Sequence, residues 1–332
     1  MQKYFYRFSV IFAITVFLFL GCSPDQEPVK VSKTDFAMGT IIQITVLDSN
    51  KQTAQKAIDL AFQEINRVGN LFYKGNPESP IYKFNHRTDK SVKMPKEVFD
   101  LIVRADQISQ KTQGGFDMTI EKLLPLYNFD GDSLRPPQKS LVDSLLQYVG
   151  YKKLEFNSST NTITSQKNGL DLATGGNAKG YAVDRAIYIL DSLGVSGALV
   201  NAGGDLRVIP RPDKKWRVGI QNPRSPNQTI GIIALNSGAV TTSGDYEQYF
   251  TFKGKRYHHI INPKTGYPGR ASRAATVIAP TTELADALAT GLFIQGYEKG
   301  LKILDSFPEC EAFWVDSSGN YHKSSGFDRY LE

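Results

Sequence analysis

The chain has 332 residues, 41% of them hydrophobic, which is enough to bury one large core or two intimate ones. Its formal charge is +6, but the lysines and arginines are scattered without a basic block, which excludes a nucleic-acid footprint. Two cysteines, one of them at the end of the N-terminal apolar run, exclude a disulfide framework, so the core must hold the fold.

Lys3 and Arg7 precede an apolar run from Val10 to Leu20, the layout of an export signal and too short for a confident membrane span. Phe19-Leu20-Gly21-Cys22 looks like a lipoprotein processing site, at which Cys22 is lipidated and becomes the mature N-terminus. Phe19 stands where an aliphatic residue is usual, so soluble export with ordinary cleavage is the alternative. The expected division is a signal peptide over 1–21, a polar, proline-bearing tether over 22–33 and a catalytic domain over 34–332. The mature protein is expected to be an exported lipoprotein held on the periplasmic side of the inner or outer membrane.

Ile42, Ile44 and Val46 alternate as in a strand that follows Phe36-Ala37-Met38-Gly39-Thr40. Ala54, Ile58, Ala61, Ile65 and Val68 step by four and three as in a helix that Gly69 closes. Val98, Leu101, Ile102, Ala105 and Ile108 predict a second helix, started by Pro95 and ending before Gly114-Gly115. Asp130 to Pro137 reads as a surface loop. After Gly197 the chain turns strand-rich, with runs at Ala198–Val200, Leu206–Ile209 and Trp216–Ile220. Helices and strands are mixed without regular βαβ alternation, which gives an α+β fold with antiparallel sheets, in one large domain or two intimate subdomains.

Three segments carry candidate chemistry. Gly175-Gly176-Asn177-Ala178-Lys179-Gly180 opens a helical pattern through Val183, Ala186 and Leu190 that Gly194 stops. Bare amides at such a start can hold phosphate oxygens, yet neither dinucleotide fingerprint nor Walker A fits, and a plain tight turn is the alternative. Thr242-Ser243-Gly244-Asp245-Tyr246 is followed by Tyr257 to Pro268, where Asn-Pro and Thr-Gly turns would fix His259 at a loop edge as a proton acceptor. The alternatives are a surface pair of His258 and His259, or a hydrolase on Ser243, for which the G-x-S-x-G form is lacking. Last, Glu283, Asp286 and Thr290 lie at i, i+3 and i+7 of an apolar helix, while Leu284, Leu288 and Leu292 turn away. Hard oxygen ligands in such a setting suit Mg²⁺ or a similar cation. The alternative is two carboxylates facing solvent near a helix start capped by Thr282.

Taken in order along the chain, these segments resemble the FAD:protein FMN transferases, the ApbE family. The match takes in Met38-Gly39-Thr40, Leu71-Phe72-Tyr73, Phe84-Asn85 and Gly114 to Thr119 with Leu124-Pro125-Leu126. It continues through Asp171-Leu172 to Asp184, Asn201 to Asp205, Thr242 to Tyr246, the His259 segment and Ala285 to Thr290. The resemblance implies a T-fold-like architecture with the cofactor site between subdomains. It also implies Mg²⁺-dependent transfer of FMN from FAD to a Ser or Thr hydroxyl, with AMP released. The partner would be an acceptor flavoprotein, a subunit of a membrane redox complex or an exported protein.

By the same resemblance the cation falls to Asp286, Thr290 and a backbone oxygen of Gly176; Glu283, on the same helical stripe, is a candidate fourth ligand, and His259 is expected to take the hydroxyl proton. Met38, Tyr73, Gly115, Phe116, Asp117, Asp171, Lys179 and Ile260 are expected against FAD. Asp171 stands eight residues before Lys179 where the family usually keeps it six before, so Ala173-Thr174 looks like an insertion. Asn177 replaces a usual apolar residue, and Asn262 a usual Asp. A same-site hydrolase giving FMN and AMP, or a flavin-binding lipoprotein without activity, are the rival readings.

Overall fold

In the computed structural model, which describes residues 28–129, 134–212 and 214–332, the sheet pairing starts at β1 (Val29–Ala37) and β2 (Thr40–Asp48). Helices α1 (Lys51–Phe72) and α2 (Pro80–Asn85), strand β3 (Ser91–Lys93) and helices α3 (Lys96–Lys111) and α4 (Lys139–Leu146) follow. The middle of the chain forms β4 (Leu154–Asn157), β5 (Thr162–Ser165), α5 (Ala178–Ser192), β6 (Gly197–Ala202) and β7 (Asp205–Ile209). Then come β8 (Trp216–Asn222), β9 (Ser225–Leu235), β10 (Gly238–Gly244), β11 (Tyr249–Phe252), β12 (Lys255–His258) and β13 (Ser272–Ala279). Helices α6 (Thr282–Gln295) and α7 (Tyr297–Leu304) and strands β14 (Glu311–Asp316) and β15 (Tyr321–Lys323) complete it.

Eight strands form one sheet in the order β1-β2-β6-β7-β10-β13-β14-β15, and each neighbouring pair is antiparallel. Period-two alternation gives the sheet two apolar faces. Ile42, Ile44 and Val46 with Ala198 and Val200 meet α1 and α5 on one side, and α6 with α7 continues this layer over β13 and β14. Leu47, Leu206, Val208 and Ile278 point to the other side, where the β8–β9 ribbon covers them with Trp216, Ile220 and Ile233. Covering both faces explains why Thr45 and Leu47 are buried beside the predicted inward residues of β2. The smaller sheets are β3-β5-β4 and β11-β12. The α+β class expected from the sequence is the one found.

Three boundaries differ from the sequence reading. The helix expected to close at Gly69 runs on to Phe72, and Gly69 is bare because an added Cβ would lie 3.1 Å from the Met38 side chain. Strand β1 starts at Val29, inside the stretch expected to be tether, because Val29–Lys33 pair with Asp48–Ile44. The cap of α6 is Thr281, whose hydroxyl accepts the Leu284 N–H at 3.4 Å; Thr282 itself is buried. The proposed signal peptide lies outside the described residues, as do positions 130–133 of the expected surface loop. No helix among the described residues is long and apolar enough to cross a membrane.

Helices α5 and α6 pack unusually closely. A Cβ on Gly180 would fall 2.5 Å from the Thr282 carbonyl oxygen, so only glycine permits this approach. One turn further along α5, Asp184 accepts the N–H groups of Thr282 (2.8 Å) and Glu283 (2.9 Å), two amides that the start of α6 leaves without helical partners. Arg207 of β7 pairs with the same carboxylate at 2.7 Å, tying both helices to the sheet.

Candidate active site

A cavity of about 710 Å³ opens at one end of the large sheet, where the β1–β2 turn, the end of β10 and the starts of α5 and α6 converge. Met38 and Gly39 form the turn, with φ of 51° and 75° between the paired residues Ala37 and Thr40. Positive φ at both central positions is the twist-compatible hairpin turn; a methionine there stores roughly 1 kcal/mol or more of backbone strain, at the lip of the cavity. The next wall is Gly115, Phe116 and Asp117. A Cβ on Gly115 would meet the Gly291 carbonyl oxygen at 2.6 Å, and one on Gly291 would meet Thr112 at 2.7 Å, so paired glycines let α6 press against this loop. Phe116 in turn lies against Gly176, whose added Cβ would touch its ring at 3.1 Å.

Asp117 spends its carboxylate on the wall itself. One oxygen accepts the backbone N–H (2.8 Å) and hydroxyl (2.6 Å) of Thr119, and the other accepts the Tyr151 N–H at 2.8 Å. Burial pushes its pKa up, against those hydrogen bonds. Lys179, in the first turn of α5, forms an ion pair with buried Asp205 of β7 and also lines the cavity.

Asp286 and Thr290, one turn apart on α6, both face this space. Asp286 is buried and its Oδ2 accepts the Gly180 N–H at 3.3 Å. Burial raises its pKa, and the charge of Lys179 acts in the opposite sense. The Thr290 hydroxyl lies 3.2 Å from that of Ser243 on β10. Gly175 and Gly176 line the same cavity. Among the described residues no three His, Cys, Asp or Glu side chains gather as a metal centre. The donors present here, one buried carboxylate, one hydroxyl and backbone carbonyls, are hard oxygens that suit Mg²⁺ if ligand oxygens and water complete the shell.

Three expected site residues are placed elsewhere. Glu283 gives its carboxylate to Arg104 of α3, with Nε–Oε1 at 2.9 Å and Nη2–Oε2 at 2.8 Å. It lines a separate cavity of about 620 Å³ with Arg104 and Tyr181, not the one holding Asp286 and Thr290. Asp171 is ion-paired with Lys122 at 2.7 Å, and Ala173, not Asp171, lines the cavity. Tyr73 is 61% exposed and borders an adjoining pocket with Met38 and Lys74.

The two histidines divide their roles. His259 lines the cavity next to Ile260, and its buried Nδ1 has no hydrogen-bond partner. Burial lowers its pKa, and Lys179 adds to the effect. His258 is only 1% exposed and is no surface residue: its Nε2 donates to the Gly269 carbonyl at 2.8 Å, its Nδ1 accepts the Ile260 N–H at 3.3 Å, and its ring meets Phe293 edge-on. It therefore holds the loop that carries His259.

Burial lowers the pKa of His258 to about 4 from 6.5. Between those values the unfolded chain binds the additional proton, so stability falls as the pH falls through this window. About 2 kcal/mol should be lost from this group between pH 7 and pH 5. Urea unfolding at the two pH values checks it: His258→Gln should lose less stability over the interval than the wild type, and equal losses would remove the assignment.

Sequence reasoning left Asp184, Asp205 and Arg104 without roles. The available signal was a carboxylate amid apolar neighbours, Val183-Asp184 and Asp205-Leu206, which demands a buried partner.

The ApbE family model matches residues 38–314 of the chain. A curated FAD:protein FMN transferase of Haemophilus influenzae is 29% identical over 312 residues, covering 88% of each chain. Another, of Klebsiella pneumoniae, is 30% identical over 293 residues, covering 87% of this chain and 90% of its own. Among solved structures, the ApbE protein of Thermotoga maritima superposes with a TM-score of 0.84 at 34% identity, over 92% of this chain and all of that one. The apo form of the Pseudomonas stutzeri flavinyl transferase ApbE gives 0.80 at 28% identity, over 92% and 98% of the two chains.

Proposed function

The chain belongs to the ApbE family, and from that premise we propose that it is an FAD:protein FMN transferase which moves FMN from FAD to a Ser or Thr hydroxyl of an acceptor flavoprotein, with Mg²⁺ bound and AMP released. The observation that carries this reading is one cavity lined at once by the buried Asp286 carboxylate, the half-buried Thr290 hydroxyl, the Gly175-Gly176 turn, Lys179 and His259. Transfer onto a hydroxyl breaks the diphosphate P–O bond and forms a new P–O bond to the acceptor oxygen, whose proton must leave. His259 accepts that proton, since its burial keeps the ring neutral and its Nδ1 carries no competing hydrogen bond. Lys179, fixed by Asp205, and the glycine turn hold the phosphate oxygens. Asp286, Thr290 and a carbonyl of the Gly176 turn would hold Mg²⁺, which when bound supplies positive charge to the diphosphate as the bond breaks. The apolar wall of Met38, Phe116 and Ile260 suits the flavin ring system.

The N-terminal run ending at Cys22 supports export and lipidation, which would place the domain on the periplasmic side of a membrane near an acceptor that is a subunit of a membrane redox complex or an exported flavoprotein. Incubation with FAD, Mg²⁺ and a candidate acceptor tests the activity. Flavin fluorescence that stays on the acceptor after denaturation is the expected result; free FMN instead makes the protein a hydrolase, and unchanged FAD a carrier.

Because burial lowers the pKa of His259 from 6.5, the base form persists below that pH. The transfer rate should therefore stay level as the pH falls through 6.5 and decline only at more acid values. A pH–rate profile with its midpoint at or above 6.5 would remove His259 as the base.

A further inference from the structure

We propose that Ser243 is a positioning residue that sets the direction of the Thr290 hydroxyl hydrogen, and with it the strength of cation binding. The proposal rests on the transferase reading, through the cation that reading requires.

A threonine hydroxyl has one hydrogen and two lone-pair directions. To act as a cation ligand Thr290 must turn a lone pair toward the cation and its hydrogen away, and that hydrogen needs an acceptor. Ser243 Oγ, 3.2 Å from Thr290 Oγ1, is that acceptor. With the hydrogen of Thr290 spent on Ser243, the hydrogen of Ser243 itself points away from Thr290, into the cavity both residues line, where a phosphate oxygen can accept it. The hydrogens then run in one order, from Thr290 to Ser243 to the bound anion.

The fold fixes Ser243 for this task. Alternation along β10 sends Thr242 to the opposite face, where its hydroxyl meets that of Thr276 at 2.8 Å, and leaves Ser243 facing α6. Two residues on, Asp245 is clamped by both terminal nitrogens of Arg224 (2.6 and 2.7 Å) and by Arg256 at 3.2 Å. Between them, Gly244 lies under the Tyr246 ring with no room for a side chain, an added Cβ falling 2.2 Å from it.

Mn²⁺ binding followed by electron paramagnetic resonance, with and without FAD and with no acceptor present, reads the cation site apart from catalysis. Ser243→Ala should weaken Mn²⁺ binding about tenfold or more, the range seen when groups orienting a metal ligand are removed. Ser243→Thr, which restores the hydroxyl, should bind within a few-fold of the wild type, and both variants should unfold at the wild-type temperature. Asp286→Asn is the reference that should bind no Mn²⁺. If Ser243→Ala binds like the wild type while Asp286→Asn does not, the role of Ser243 is refuted and the cation site stands. A folded Ser243→Thr protein as weak as the alanine variant also overturns the proposal. A wild-type protein that takes up no Mn²⁺ even with FAD overturns both readings together.

Discussion

Asp286→Asn should reduce flavin transfer by about 10³-fold or more, the scale expected when the charge stabilising a phosphoryl-type transition state is lost. The substitution keeps shape and still offers an oxygen to the Gly180 N–H that Asp286 accepts at 3.3 Å. It replaces a buried carboxylate by a neutral amide, so without a cation the variant should be as stable as the wild type or more so. Two measurements check it, covalent flavin on the acceptor by in-gel fluorescence and the unfolding temperature by calorimetry. Full transfer in a folded variant would remove Asp286 from the site; lost transfer with a collapsed unfolding temperature would make its role structural.

Gly180→Ala should act in the opposite way, through the fold. The new methyl would lie 2.5 Å from the Thr282 oxygen, 2.7 Å from its carbonyl carbon and 2.9 Å from the Glu283 nitrogen, all backbone atoms that no rotamer can move aside. Helix α5 must then back away from α6, stretching the bonds from Asp184 to the Thr282 and Glu283 amides. Overpacking of this kind costs more than the roughly 1 kcal/mol that alanine gains over glycine in a helix, for a net loss of about 2 kcal/mol. Gly175→Ala is the control, since nothing lies within 4 Å of its added Cβ and its φ is not positive, and its stability should change by less than about 0.5 kcal/mol. Urea unfolding of both proteins decides the matter: equal stabilities would mean that the helices have slack between them.

Most of the secondary structure was legible because periodicity reports burial. The strand at Ile42–Val46 and the helices at Val98–Ile108 and Val183–Leu190 sit where their spacing put them. Spacing alone ends the helix at Gly69, three residues short, because glycine has two meanings, a stop or a close contact, and only the position of Met38 chooses between them. The same limit applies to the site. Asp286 and Thr290 share a cavity as their spacing suggests, but Glu283, on the edge of that helical stripe, is claimed by Arg104 from 179 residues away. Local spacing cannot say which of three neighbouring carboxyl or hydroxyl groups a distant chain segment will take. Asp171 shows the complementary case: a two-residue change in spacing was visible, and it ends in an ion pair with Lys122 away from the cavity wall. The turn pattern singles out His259 but assigns nothing to His258, whose hold on the loop depends on the partners that its ring finds after folding.

The grip of Asp184 on the opening amides of α6 makes two helices one mechanical part. The glycine turn enters α5, the acidic and hydroxyl donors ride on α6, and the carboxylate between them is itself braced by Arg207. A pull on the turn by a ligand should therefore move both helices together, so that the gap between turn and donors keeps its width.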